Sequence, residues 1–159
     1  MKFICSLLVV DDVNKSRSLY EGILGQVVLT DYGENVAFEC GFAIHEKVHY
    51  EGLICGRKVG SNSNSHELYF EHDDLAGVVK LLKENGITFI HEIVEQPWEQ
   101  RVVRFYDYDK HIIEIGESME HVAFRLHQNG SNADEICRIT YLSKDKVRQA
   151  ISNYSQIQE

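Results

Sequence analysis

Proline is nearly absent, one residue in 159, and with 43% hydrophobic and 26% charged side chains the composition excludes a collagenous, disordered or low-complexity chain. Basic residues are also short. Sixteen lysines and arginines face 25 acids, and the resulting formal charge of -9 opposes broad contact with phosphate backbones or anionic lipid. Nucleic acid and membrane are therefore not the expected partners. Only the opening MKFICSLLVV approaches the apolar core of a signal peptide, and it runs into Asp11 and Asp12 without a small-residue cleavage site. It reads as a buried strand, and no other stretch nears the roughly 20 apolar residues that span a bilayer. Cys5, Cys40, Cys55 and Cys137 form no C-x-x-C pair, which fits reduced thiols. A soluble, cytoplasmic protein with one core and a small appendage is expected.

What is present is a repeat. Phe3 to Val10, then Asp11-Asp12, then a helical pattern carrying Leu19, Tyr20, Ile23 and Leu24 before Gly25, is echoed about 60 residues on. The echo is His66 to Glu71, Asp73-Asp74, and a pattern carrying Leu75, Val78, Val79 and Leu82 before Gly86. Aspartate suits a helix N-cap and glycine a left-handed helix end, so both helices are bounded in the same way. Strand-like runs come after each helix: Gln26 to Asp31, Val36 to Cys40 and Phe42 to Glu46, then Thr88 to Val94, Val102 to Tyr106 and His111 to Ile115. Each half thus reads βαβββ, with residues 60–65, Gly-Ser-Asn-Ser-Asn-Ser, as a polar linker. The duplication gives modules 1–58 and 64–118.

Residues 119–159 have another texture. Met119 to Asn129 reads as a helix ended by Gly130, Ser131 or Asn132 caps a second helix through Thr140, and Ser143 caps a third over Lys144 to Tyr154. The last two, joined by Tyr141-Leu142-Ser143, are reminiscent of a helix-turn-helix. The segment is electrically neutral, so a packing or dimer-bracing role is preferred to a DNA contact.

The run Val10-Asp11-Asp12-Val13-Asn14-Lys15-Ser16, then Leu19-Tyr20 and Ile23-Leu24-Gly25, resembles the opening of the vicinal oxygen chelate superfamily of glyoxalases, bleomycin resistance proteins and extradiol dioxygenases. Residues 105–115, from Phe105 to Ile115, resemble that family's last hairpin, although Tyr108 and Lys110 stand where proline and glycine are usual. The resemblance covers about residues 1–118. It implies an α+β fold in which two βαβββ modules form a partly open eight-stranded cup, here with a C-terminal helical tail. It also implies a small-molecule substrate or ligand and, often, a homodimer.

Strand alternation sends neighbouring side chains to opposite faces. Leu8 and Val10 then fall on the helix-covered face with Ser6, leaving Cys5, Leu7 and Val9 on the other, and Glu67 shares its face with Tyr69 and Glu71. The resemblance implies metal positions at Cys5, His45, Glu67 and Glu114, a donor set suited to a divalent ion such as Zn, Ni, Mn or Fe. Paired carboxylates in a concave interior require a partner. A cation is one; Arg101 or Arg104, whichever faces inward, is the other. Trp98 is placed at the mouth of the cup, and Tyr69, Glu71, Trp98, Arg101 and Arg104 are candidate substrate contacts.

The resemblance supports first a metal-dependent, lactoylglutathione lyase-like enzyme, with Glu67 or Glu114 removing a proton while the metal stabilises an enolate. The second reading is a non-catalytic binding protein of the bleomycin resistance kind. A ring-cleaving dioxygenase is disfavoured because its iron prefers two histidines and one carboxylate, and a ligand-sensing regulator requires the tail to touch DNA.

Overall fold

The opening strand is shorter than its apolar sequence. In the computed structural model, which describes residues 1–157, β1 is Ser6–Val10, while Met1, Phe3 and Ile4 are exposed and Cys5 precedes the strand. The expectation of a buried strand from Phe3 is corrected accordingly: only Leu8 and Val10 of this run are buried, on the alternate positions that a one-faced strand requires.

β1 leads to α1 (Val13–Arg17), which widens into a π-helical turn over Ser18–Ile23. β2 (Val28–Asp31), β3 (Asn35–Phe38) and β4 (Phe42–Glu46) come next, and the sheet order is β1-β4-β3-β2. β1 runs parallel to β4, pairing Leu8 with Ile44 and Val9 with His45, and β3 is antiparallel to β4, pairing Asn35 with His45. Leu8, Val10, Val36 and Ile44 are buried together with Tyr20, Phe38 and Phe42; the Phe38 and Phe42 rings stack at 4.6 Å and Tyr20 meets Phe42 edge-on at 5.1 Å. The second half repeats the plan: β5 (Glu67–Glu71), α3 (Leu75–Glu84), β6 (Thr88–Glu95), β7 (Arg101–Tyr106) and β8 (Ile112–Gly116), in the order β5-β8-β7-β6. The α+β fold with two βαβββ modules is therefore present.

The aspartate pairs divide their labour alike. The second member of each caps a helix: Asp12 accepts from the Lys15 amide at 3.0 Å and Asp74 from the Gly77 amide at 2.9 Å. At the other helix ends Gly25 and Gly86 take left-handed φ values of 64° and 67°, as their positions in the sequence predict.

Chain contacts divide the molecule into two compact units, Met1–Glu67 with Tyr106–Ile112, and Leu68–Phe105 with Ile113 onward. The β7–β8 hairpin tip thus belongs to the first unit. Its turn is built on Asp107, whose carboxylate accepts the backbone amides of Asp109 and His111 at 2.9 and 2.8 Å, the Tyr20 hydroxyl at 2.8 Å and the His111 Nδ1 at 2.8 Å. Lys110 takes the glycine-like φ of 70° that the hairpin demands. Burial and the Asp107 charge together push the Tyr20 phenol well above its ordinary range.

In the second unit the tail packs as three helices, α4 (Met119–Gln128), α5 (Ala133–Thr140) and α6 (Lys144–Ile157). Val122, Ala123, Leu126, Ile136, Val147 and Ala150 form their common core. Asn132 caps α5 in a capping box with Glu135, and the Lys146 amide donates to Ser143 at 3.3 Å. Two polar anchors tie the tail to its unit. Arg125 donates to Glu117 Oε2 at 3.1 Å and to the Glu99 carbonyl, and Tyr154 donates to Asp73, which also accepts from the Ser118 hydroxyl at 2.9 Å. Among the described residues no helix is long and apolar enough to cross a membrane.

Candidate functional site

The last strand of the first module carries His45, buried at 7% exposure. Its surroundings include an element that the sequence pattern does not announce, α2 (Lys47–Leu53), which begins directly after β4 with the Glu46 carboxylate accepting the His49 amide at 2.7 Å. The helix lays the His49 ring on His45 at 5.0 Å, and Tyr50 meets His45 edge-on at 5.7 Å. Both ring nitrogens of His45 have partners. The Asn35 amide nitrogen, which can only donate, lies 3.0 Å from His45 Nδ1, so His45 carries its proton on Nε2 and donates it to His49 Nδ1 at 2.8 Å. Burial, and next the neighbouring His49, lower the His45 pKa from its ordinary value of 6.5, which favours the neutral form of His45 at pH 7.

In the second module's last strand Glu114 is buried at 6% exposure. It is ion-paired with Arg104 of β7, and Arg104 Nη1 also lies 3.4 Å from His91 Nε2. Arg104 is thus the arginine that alternation alone leaves undecided. Arg101 turns elsewhere, its Nε donating to Glu95 at 3.3 Å.

Further along the same sheet a chain of side chains is fixed in series. The Trp98 indole N–H donates to Gln100 Oε1 at 2.9 Å, and Gln100 Nε2 donates to the Tyr69 hydroxyl at 2.9 Å and to the Glu117 carbonyl at 2.7 Å. The Tyr69 hydroxyl donates to Glu71 at 3.1 Å. Gly116 makes this possible: a Cβ there would stand 2.9 Å from Gln100 Nε2 and 3.2 Å from the Tyr69 ring, so any side chain would displace both. Burial, and then the Glu71 charge, push the Tyr69 phenol up to about 12, so it is a proton donor at neutral pH.

Of the residues expected at a site, the second sheet therefore gathers Tyr69, Glu71 and Trp98, with Gln100 and Gly116 as members the sequence did not announce, and separately Arg104 with Glu114. Glu67, Tyr69 and Glu71 are the exposed, alternating positions of β5, as its period predicts. Cys5 is half-buried ahead of β1. Glu114 already holds a guanidinium and His45 has both nitrogens bonded, so as placed they do not fit a metal as ligands. Among the described residues no group of three or more histidine, cysteine, aspartate or glutamate side chains is placed to hold an ion. His49 and Gln100 lacked a sequence signal because each acts through a neighbour brought in by packing.

Residues 3–120 match the family model described as a glyoxalase-like domain. Among solved structures, a protein of unknown function from Agrobacterium tumefaciens is 40% identical over 74% of this chain and 94% of its own, with a TM-score of 0.68. A lactoylglutathione lyase from the same organism is 18% identical over 74% of this chain and 93% of its own, with a TM-score of 0.57. A fosfomycin resistance protein from Listeria monocytogenes is likewise 18% identical over 74% of this chain and 93% of its own, with a TM-score of 0.57. These last two share the fold. No curated protein matches the chain.

Proposed function

The chain belongs to the glyoxalase-like domain family, and from that membership we propose that it binds a small, oxygen-bearing molecule on the Tyr69 face of the second module's sheet, by sequestration and without a metal. The exposed Tyr69 and Glu71 would exchange the hydrogen bond between them for a ligand hydroxyl or carbonyl, one as donor and the other as acceptor, Gln100 positions the phenol, and the Arg104 guanidinium supplies charge at Glu114. The observation that carries this reading is that two of the donors a metal would need, His45 and Glu114, are already bonded to protein partners. A lyase using Glu67 or Glu114 as base and His45, Glu67, Glu114 and Cys5 as ligands would require Arg104 to leave Glu114 and His45 to shed Asn35 or His49. The exposed apolar Phe3, Ile4, Val27 and Leu29 support the homodimer that the family resemblance implies, to be read by sedimentation equilibrium.

The deciding experiment is a thermal-shift screen of small hydroxy- and keto-acids, with and without chelator. A ligand that raises the midpoint regardless of chelator, and loses its effect in Tyr69→Phe and Arg104→Leu, is the expected result. Stabilisation that appears only with Zn, Ni, Mn or Fe, accompanied by product formation lost in Glu114→Ala, would establish the lyase instead.

A further inference from the structure

The tail adds a cavity of its own. It has a volume of about 530 Å³, within the size range of small-molecule sites, and is lined by Pro97, Trp98, Met119, Arg138, Ile139 and Tyr141. Arg138, Ile139 and Tyr141 lie beyond residue 120, where the family match ends, so this wall is an addition to the shared fold.

Three features of the wall specify an occupant. Trp98 is 42% exposed, yet its N–H is committed to Gln100, so the indole presents an orientationally fixed apolar surface instead of a polar edge. Tyr141 is 89% exposed and sits at φ 58°, ψ 12°, a left-handed conformation that favours glycine and that an aromatic residue adopts at a cost. The fold buries almost none of this ring and glycine would suit the backbone better, so the ring's faces are open to a molecule that enters from outside. Arg138 lines the same space and makes no ion pair with any described residue, so its planar fork of donors is available for a carboxylate or sulfonate.

We propose that the cavity between the tail and the 96–100 loop is a second ligand site, which takes a flat aromatic molecule bearing one negative group: the ring lies against Trp98, Met119 and Tyr141, and the anion meets Arg138. The site is independent of the proposed sheet-face function, from which it borrows only Trp98.

The chain has a single tryptophan, so its indole N–H gives one resonance in a ¹⁵N-edited spectrum of the intact protein. Titration with 2-naphthoate is expected to shift that resonance saturably. R138Q weakens naphthoate binding roughly tenfold and leaves the uncharged 2-naphthylmethanol unaffected, the loss of one charge-assisted contact. Y141G weakens both probes without lowering the melting temperature, which separates loss of the wall from loss of the fold. Tyr69→Phe leaves naphthoate binding intact, so failure of the sheet-face reading and failure of this one are distinguishable. No saturable shift in the wild type, equal binding of acid and alcohol, or R138Q binding naphthoate as the wild type does would overturn the proposal.

Discussion

The two modules share a strand plan and differ in what their last strands hold. In β4 a buried imidazole has hydrogen-bond partners at both nitrogens, Asn35 and His49; in β8 a buried carboxylate is ion-paired with a guanidinium. The segments that continue from these two strands differ as well. After β4 comes the seven-residue helix α2, which returns a histidine to the strand it has just left. After β8 comes a three-helix tail, whose first helix supplies Arg125 to the buried Glu117. A duplicated architecture thus constrains strand order and helix caps while leaving the polar occupant of each sheet free to diverge, because a buried polar group needs only some partner of matching chemistry.

The sharpest break should come at the tail. Arg125→Ala leaves the Glu117 carboxylate, which is nearly inaccessible, without its guanidinium, and the expected loss is about 3 kcal/mol in urea unfolding. Glu114→Ala removes the buried carboxylate from Arg104, but that side chain is about a quarter exposed and water recovers part of the cost, so about 2 kcal/mol is expected; Glu114→Met with Arg104→Leu restores much of it. In the first module His45→Leu removes no charge and leaves Asn35 and His49 without one partner each, for about 1–2 kcal/mol by the same measurement.

Proton linkage sharpens the contrast within the first unit. His45, lowered from 6.5, resists protonation when folded, so the stability present above pH 6.5 declines as pH falls below it. His111 is raised from the same value: burial opposes its charge, but the Asp107 hydrogen bond and charge prevail, and its contribution is present below pH 6.5 and lost as pH rises through the raised value. Stability measured from pH 5.5 to 8 should therefore lose its acid slope in His45→Gln and its alkaline slope in His111→Gln. The smallest effect is a gain: Tyr141→Gly relieves the left-handed backbone and adds up to about 1 kcal/mol.

Much of this architecture was legible in the residues. Asp12, Asp74, Gly25 and Gly86 mark helix ends through local chemistry that needs no tertiary partner, and they stand where expected. The tail helices were equally readable, since Ser131 or Asn132 and then Ser143 offer cap signals at the boundaries, and the structure uses Asn132 and Ser143. α2 was not, because a short segment with Val48 and Gly52, capped by a glutamate, has little intrinsic helix preference and forms where packing favours it. The candidate site suffered from the same locality. Alternation placed Glu67, Tyr69 and Glu71 on one side of β5, but it does not say that Arg104 and not Arg101 meets Glu114, nor that Gln100 reaches Tyr69 over a glycine. At the amino end Phe3 and Ile4 show the converse failure, apolar residues whose composition carries no information about exposure.

The hairpin built on Asp107 has a consequence of its own. A turn that depends on glycine is insensitive to its medium, whereas here a lysine occupies the left-handed position and one acid group fastens two amides, a phenol and an imidazole around it. Such a bend is held by one acceptor and not by a missing side chain, so a single Asp107→Asn exchange can loosen it while every backbone preference in the loop stays as it was.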